Sequence, residues 1–267
     1  GSSLYGTSAM FGVINVVTKS AESLAGGHID GELGSFEGRR GRLQWGQRFN
    51  SGVDLVLGGS FLEREGQDHY FAEFDSPETN HGMAEGSDKL DSHRFFAKAA
   101  WRGAQLEVLR SSRAKVVPTA PWETVFNDPR TQDTDSYTMA NLSYVRPVGD
   151  TWEVTARADY LDYAYDGDYL YDYSEDEEPY LVLMKDYAHG RRWTGEAQAV
   201  GVLSDRHQTT LGVEGKYSPQ IDQGTHDVEG TYLDDRRTST DWAVFAQHEY
   251  RPLENALVNV GLRYDHH

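Results

Sequence analysis

Four carboxylates spaced along one polar segment, Asp166, Asp168, Asp172 and Asp176, are the residues of this chain best placed by type and spacing to do chemistry. Glu175, Glu177 and Glu178 lie among them, and Tyr165, Tyr169, Tyr171, Tyr173 and Tyr180 are interleaved with them. Clustered carboxylate oxygens are what a hard cation such as Ca²⁺ takes as ligands, and tyrosine faces can stack on a bound solute. The spacing does not match an EF-hand loop, so a solvated acidic loop is the competing reading. Six histidines, His69, His81, His93, His189, His226 and His248, show no i, i+4 metal spacing. Contact with haem or a ferric complex competes there with ordinary surface histidine. The chain has no G-x-S-x-G, H-E-x-x-H or P-loop, and its carboxylates form no recognisable acid/base pair. No catalytic residue is assigned and no enzyme is expected. With no cysteine, neither disulfides nor thiolate chemistry are available.

The elements that must position these residues are strands. The 267 residues carry a formal charge of -18, with a hydrophobic fraction of 38% and abundant Gly (27) and Tyr (16). That combination fits strands apolar on one face, and it fits disorder poorly because disordered chains lack aromatics. No apolar run approaches the length of a membrane helix, which leaves spanning by strands open. The acidity argues against a nucleic-acid partner, which needs a positive face.

Period-two alternation predicts eleven strands, near residues 27–35, 38–48, 53–64, 92–102, 104–113, 136–146, 151–163, 191–203, 209–217, 240–250 and 256–265. In the segment from Trp152 to Tyr160, Trp152, Val154, Ala156, Ala158 and Tyr160 lie opposite Glu153, Thr155, Arg157 and Asp159. Glu196, Glu214, Lys216, Asn259 and Arg263 fall on the same polar side as Glu153, Arg157 and Asp159, the side expected to face a wet lumen. Trp101, Tyr144, Trp152, Tyr160, Trp193, Tyr217, Trp242, Tyr250 and Tyr264 near strand ends would suit interfacial girdles. A soluble sandwich or propeller also alternates. The connections favour a membrane barrel, since short turns alternate with long polar loops at residues 65–91, 114–135, 166–190 and 218–239. An odd strand count leaves open edges, so the barrel is expected to be incomplete. The chain opens without Met or an apolar leader, so any export signal is expected upstream.

The opening residues, from Gly1 to Lys19, resemble the end of the plug domain of TonB-dependent outer-membrane receptors, a pattern of the form S-x-L-Y-G-x-x-A-x-x-G-V-I-N-I-x-T-K. Leu4, Tyr5, Gly6, Ala9, Gly12, Val13, Ile14, Asn15, Thr18 and Lys19 carry the match, while Phe11 replaces a commonly small residue. Read physically, Gly6 and Gly12 free the backbone at turns, and residues 13–18 form a β-branched strand. Residues 245–252 and 260–265 resemble a strand pair found mid-barrel in these receptors, with His248 where Asp is usual. Residues 118–121 and 126–130 are similar to a loop of some members.

The resemblance implies an all-β fold, an antiparallel transmembrane β-barrel. About eleven of about twenty-two strands would be present. Residues 1–25 would be the C-terminal end of the plug and residues 26–267 the N-terminal half of the barrel. It implies a bacterial outer-membrane location, a lipid surround, and TonB contacted through an upstream segment. It also implies import of a scarce solute such as a ferric siderophore, haem, cobalamin, another metal chelate or a glycan. No cofactor is implied, with Ca²⁺ in an extracellular loop kept as a hypothesis; substrate-contacting residues are not assigned. A passive pore or adhesin on the same barrel, and a soluble β-rich carbohydrate-active protein, are the alternatives.

Overall fold

The computed structural model describes residues 15–174 and 180–267. A one-turn helix, α1 (Ala21–Leu24), leads into β1 (Gly26–Leu33), β2 (Arg39–Arg48) and β3 (Asp54–Arg64). A folded loop then holds a two-stranded ribbon of β4 (His69–Tyr70) and β5 (Met83–Ala84). The sheet continues with β6 (Leu90–Trp101), β7 (Ala104–Val116), β8 (Gln132–Val148), β9 (Trp152–Asp172) and β10 (Leu181–Ser204). It ends with β11 (His207–His226), β12 (Thr231–Leu253) and β13 (Ala256–His266). Apart from the ribbon, the strands pair antiparallel with their chain neighbours into one eleven-stranded sheet whose edges are β1 and β13.

All eleven strands read from alternation are present, but several are longer than the alternation suggested, β9 to β12 most of all. The segments 166–190 and 218–239, expected as long polar loops, are mostly strand: β9 reaches Asp172, β10 starts at Leu181, β11 reaches His226 and β12 starts at Thr231. Above the apolar stretch polar side chains occupy most positions on both faces of these strands, the run from Leu181 to Met184 excepted. The hydrophobic signal therefore fades while the ladder of backbone bonds continues. The run at residues 13–18 departs in the other direction. Residues 13 and 14 lie outside the described residues, and Asn15–Thr18 forms no strand. A β-branched run becomes a strand only beside a partner, and none of the described strands pairs with it.

The two faces differ as the alternation requires. One face carries Leu57, Phe95, Leu106, Leu142, Leu211, Val213, Val244, Val260 and Leu262, all well exposed. Across it runs a row of aromatic rings. Tyr160 lies opposite Trp193, their centroids 4.5 Å apart, Trp193 lies opposite Tyr217, and Trp242 is 5.6 Å from Tyr264. A second row near the short turns holds Trp101, Tyr144, Trp152 and Tyr250.

The other face is polar and partly covered by the N-terminal segment. The Ser20 hydroxyl caps α1, accepting from the Ser23 amide at 3.1 Å. Ala21 and Leu24 then pack on Val56, with Phe96 beside them. Gly46 makes this approach possible, because a Cβ there would lie 2.7 Å from the Leu24 side chain.

Several rings lie flat over cross-strand glycines, which explains part of the glycine content: Phe61 on Gly41, Trp152 on Gly201, Phe245 on Gly212 and Tyr187 on Gly224. Gly212→Val in the full-length protein should lift Phe245 and cost about 1–3 kcal/mol. The expected result is a lower temperature for loss of the heat-modifiable folded form. Gly195→Ala, where a Cβ meets nothing within 4 Å, should leave it unchanged. Equal behaviour of the two variants would refute the packing role.

Candidate functional site: the polar face and its upper rim

Alternation on β6 to β13 places one set of charged side chains on the polar face, and they form a chain of contacts from strand to strand. Lys98 of β6 lies 3.6 Å from Glu107 of β7. Thr18 sits between them: its hydroxyl donates to Glu107 Oε1 at 2.6 Å and accepts from Lys98 Nζ at 2.9 Å. The segment matching the plug end is thus tied to the sheet through one of its motif residues. Further along, Asn141 donates to Asp159, and Arg157 lies 3.8 Å from Glu196. Glu214 takes Lys216 at 2.9 Å and Arg263 at 3.2 Å. Arg263 also pairs with Asp265 at 2.8 Å and stands over the Phe245 ring at 5.5 Å. Charges so placed keep a water-filled interior wet.

The sequence placed Glu153, Arg157, Asp159, Glu196, Glu214, Lys216, Asn259 and Arg263 on this face, and cross-strand pairing puts all eight there. It missed Lys98 and Glu107, although the parity of β6 and β7 carried the signal. Of the plug-motif residues, Leu4, Tyr5, Gly6, Ala9, Gly12, Val13 and Ile14 lie outside the described residues.

Above the sheet's apolar band, the loop between β3 and β6 is held by Asp88. Its carboxylate receives Lys115 Nζ, the Gln67 amide at 3.2 Å, Arg64 at 3.6 Å and His69 at 3.4 Å. Burial works to raise the Asp88 carboxyl, but Lys115, the Gln67 amide and His69 outweigh it and hold it below the usual carboxylate range. The loop before β8 joins the same assembly. Asn127 Oδ1 accepts from the Glu85 amide at 2.7 Å, and Phe126 stacks on Phe74 at 4.3 Å.

The four candidate metal ligands are not gathered into one site. Asp166 pairs with His189 at 3.1 Å, Asp168 with Lys185 at 2.7 Å, and Asp172 with the Ser174 amide at 2.9 Å. Asp176 lies outside the described residues. Among the described residues no group of three or more His, Asp or Glu could hold a metal ion. Of the histidines, His69 binds Asp88, while His248 makes a contact the sequence did not suggest. Its Nε2 is 3.1 Å from His207 Nδ1, and its Nδ1 is 2.9 Å from Thr209 Oγ1.

An antiparallel sheet with a lipid-compatible outer face between two aromatic rows, and a charged inner face, is the wall of a transmembrane β-barrel. The family model for TonB dependent receptor-like β-barrels matches residues 84–267. The chain belongs to this family. No curated protein sequence matches the chain. Among solved structures, the ferric yersiniabactin uptake receptor FyuA from Yersinia pestis is similar, with 14% identity, a TM-score of 0.65, and 98% of this chain covering 42% of that one. Pseudomonas aeruginosa FpvA, bound to ferric pyoverdine, gives 11% identity and a TM-score of 0.62, with 90% of this chain and 36% of that one covered. The closed form of the Escherichia coli ferric-catecholate import receptor Fiu gives 12% identity and a TM-score of 0.62, with 90% and 40% covered. At such identities the likeness is one of fold, and the chain spans well under half the length of these receptors.

Proposed function

We propose that the chain is part of an outer-membrane receptor that binds a ferric siderophore outside the cell and imports it with energy delivered through TonB. In this reading residues 1–25 end the plug and residues 26–267 begin the barrel wall. The observation that carries it is the Thr18 junction: a residue of the plug-like motif is hydrogen-bonded to Lys98 and Glu107 on the inner face. A passive pore or adhesin has no reason to keep that motif or to seat it there. The structural neighbours named for ferric yersiniabactin, ferric pyoverdine and ferric catecholate favour an iron chelate over cobalamin, haem or a glycan.

The test is uptake of radiolabelled ferric chelates by cells carrying the full-length receptor. Accumulation that stops when TonB is deleted or the proton gradient is collapsed supports energised import. Accumulation that persists without either favours the passive pore. A calcium role for Asp166, Asp168, Asp172 and Asp176 belongs to this reading only if calorimetry on the full-length receptor records Ca²⁺ heat.

A further inference from the structure

The upper inner face of β9 is lined by tyrosines. Tyr163, Tyr165, Tyr169 and Tyr171 fall at odd positions, on the side facing Tyr137 and Asp135 of β8, and Tyr173 follows just past the strand's end. Gly167 breaks the row, and the Tyr165 and Tyr169 hydroxyls meet across it. The Tyr171 and Tyr173 rings stack 5.9 Å apart at 11°, and Tyr173 stays open to solvent.

Trp122 stands edge-on to Tyr169 at 5.2 Å. It is 71% exposed and its φ is +53°, in a stretch where Ala120 and Glu123 are left-handed too. Left-handed backbone is unfavourable for side chains of these types, and here it holds the Trp122 ring out into solvent.

The charge around these rings is negative. Asp133 Oδ1 and Asp186 Oδ1 are buried atoms that accept no hydrogen bond. Asp135 is taken by the Tyr163 hydroxyl at 2.7 Å, which pushes the Tyr163 phenol up to about 12 and keeps it neutral. Both Asp133 and Asp186 act on Tyr165 and Tyr169, and Glu123 acts on Tyr171. The cations of the adjoining β7 are engaged: Arg113 lies 3.6 Å from Asp133 and 3.8 Å from Asp135, and Lys115 is bound to Asp88. One arginine thus answers two of these carboxylates and Asp186 adds a third charge, and open aromatic faces beside such a negative excess attract cations and repel anions.

Resting on the import reading, we propose that this wall selects a cationic or neutral ferric chelate, of the hydroxamate type, and rejects a multiply anionic one. Trp122 and Tyr173 supply stacking surface, and the carboxylates behind them, Asp186 above all, supply a negative field that favours a cation.

The experiment uses the full-length receptor in detergent and follows quenching of its intrinsic fluorescence. The probes are a singly cationic ferric trihydroxamate with a free ammonium group and a triply anionic ferric tris-catecholate. The trihydroxamate should bind at least about tenfold more tightly, equivalent to ~1.4 kcal/mol. Trp122→Ala should weaken it about tenfold, Trp122→Phe should restore most of that loss, and Asp186→Asn should narrow the preference between probes. Retained heat-modifiable mobility shows that each variant is folded. Equal or tighter binding of the tris-catecholate would overturn the charge selection while leaving ferric-chelate import intact. Binding of neither, with no chelate supporting iron-limited growth, would remove the import reading as well.

Discussion

Asp88→Ala in the full-length receptor is expected to open the loop between β3 and β6 by about 3 kcal/mol, the low end of the cost of breaking a buried ion pair. The Asp88 side chain is 10% exposed, and its removal leaves Lys115, Arg64 and His69 gathered around nothing. Hydrogen exchange reads this directly. The Phe71 amide, bonded to the Gly82 carbonyl, and the Val116 amide, bonded to Lys89, should exchange about a hundredfold faster. Less than about a threefold change would show that the loop is held by its phenylalanines instead. The same knot has a pH signature. Because the folded Asp88 carboxyl is depressed, its stabilisation is present above the ordinary carboxylate value of about 4 and is lost as pH falls through the folded value. Loop protection factors, which are corrected for the intrinsic pH dependence of amide exchange, should therefore fall on acidification below that point, and the fall should be absent in Asp88→Ala.

Leu211→Arg tests which face meets lipid. Leu211 lies between Ala199 and Ala246, midway between Tyr217 and His207 on the apolar face. An arginine at the bilayer midplane costs about 2–4 kcal/mol. Assembly of full-length protein into the outer membrane, read as the heat-modifiable fraction, should fall sharply. Thr155→Arg, at matching height on the polar face beside Gln198, should assemble near normally. If both variants assembled equally, the apolar face would not be the lipid face.

The strands were legible in the sequence because lipid on one side and water on the other impose a period of two. Leu211, Val213 and Tyr217 show it without ambiguity. Where β9 to β12 rise above the bilayer, that contrast ends, and residues 166–190 read as an acidic loop. A period of two was still present there, with Tyr163, Tyr165, Tyr169 and Tyr171 alternating with Asp162, Asp166, Asp168 and Asp172. Both partners are polar, so hydropathy could not reveal it. The alternation also separates residues that look clustered in sequence: the tyrosines face inward, while Asp166 and Asp168 face outward to His189 and Lys185.

The loop knot was not legible at all. Asp88 meets partners 21 and 27 residues away, and no local pattern encodes such a meeting. Trp122 likewise looked like an ordinary loop residue, because only the backbone shows that it is held outward.

The height of these strands has a consequence for what the cell's surroundings encounter. A strand of nine to eleven residues crosses a bilayer, whereas β10 has 24 residues and β12 has 23. About ten residues of each stand clear of the membrane, a rise of roughly 25 Å at the usual tilt. Along that rise the main chain is already paired on both sides, so a proteolytic cleft, which needs a free extended segment, finds little to grip. An immune system would meet a pleated parapet instead of pliable loops. Its antibodies would recognise neighbouring strands together, and a synthetic peptide copied from β10 would be a poor vaccine.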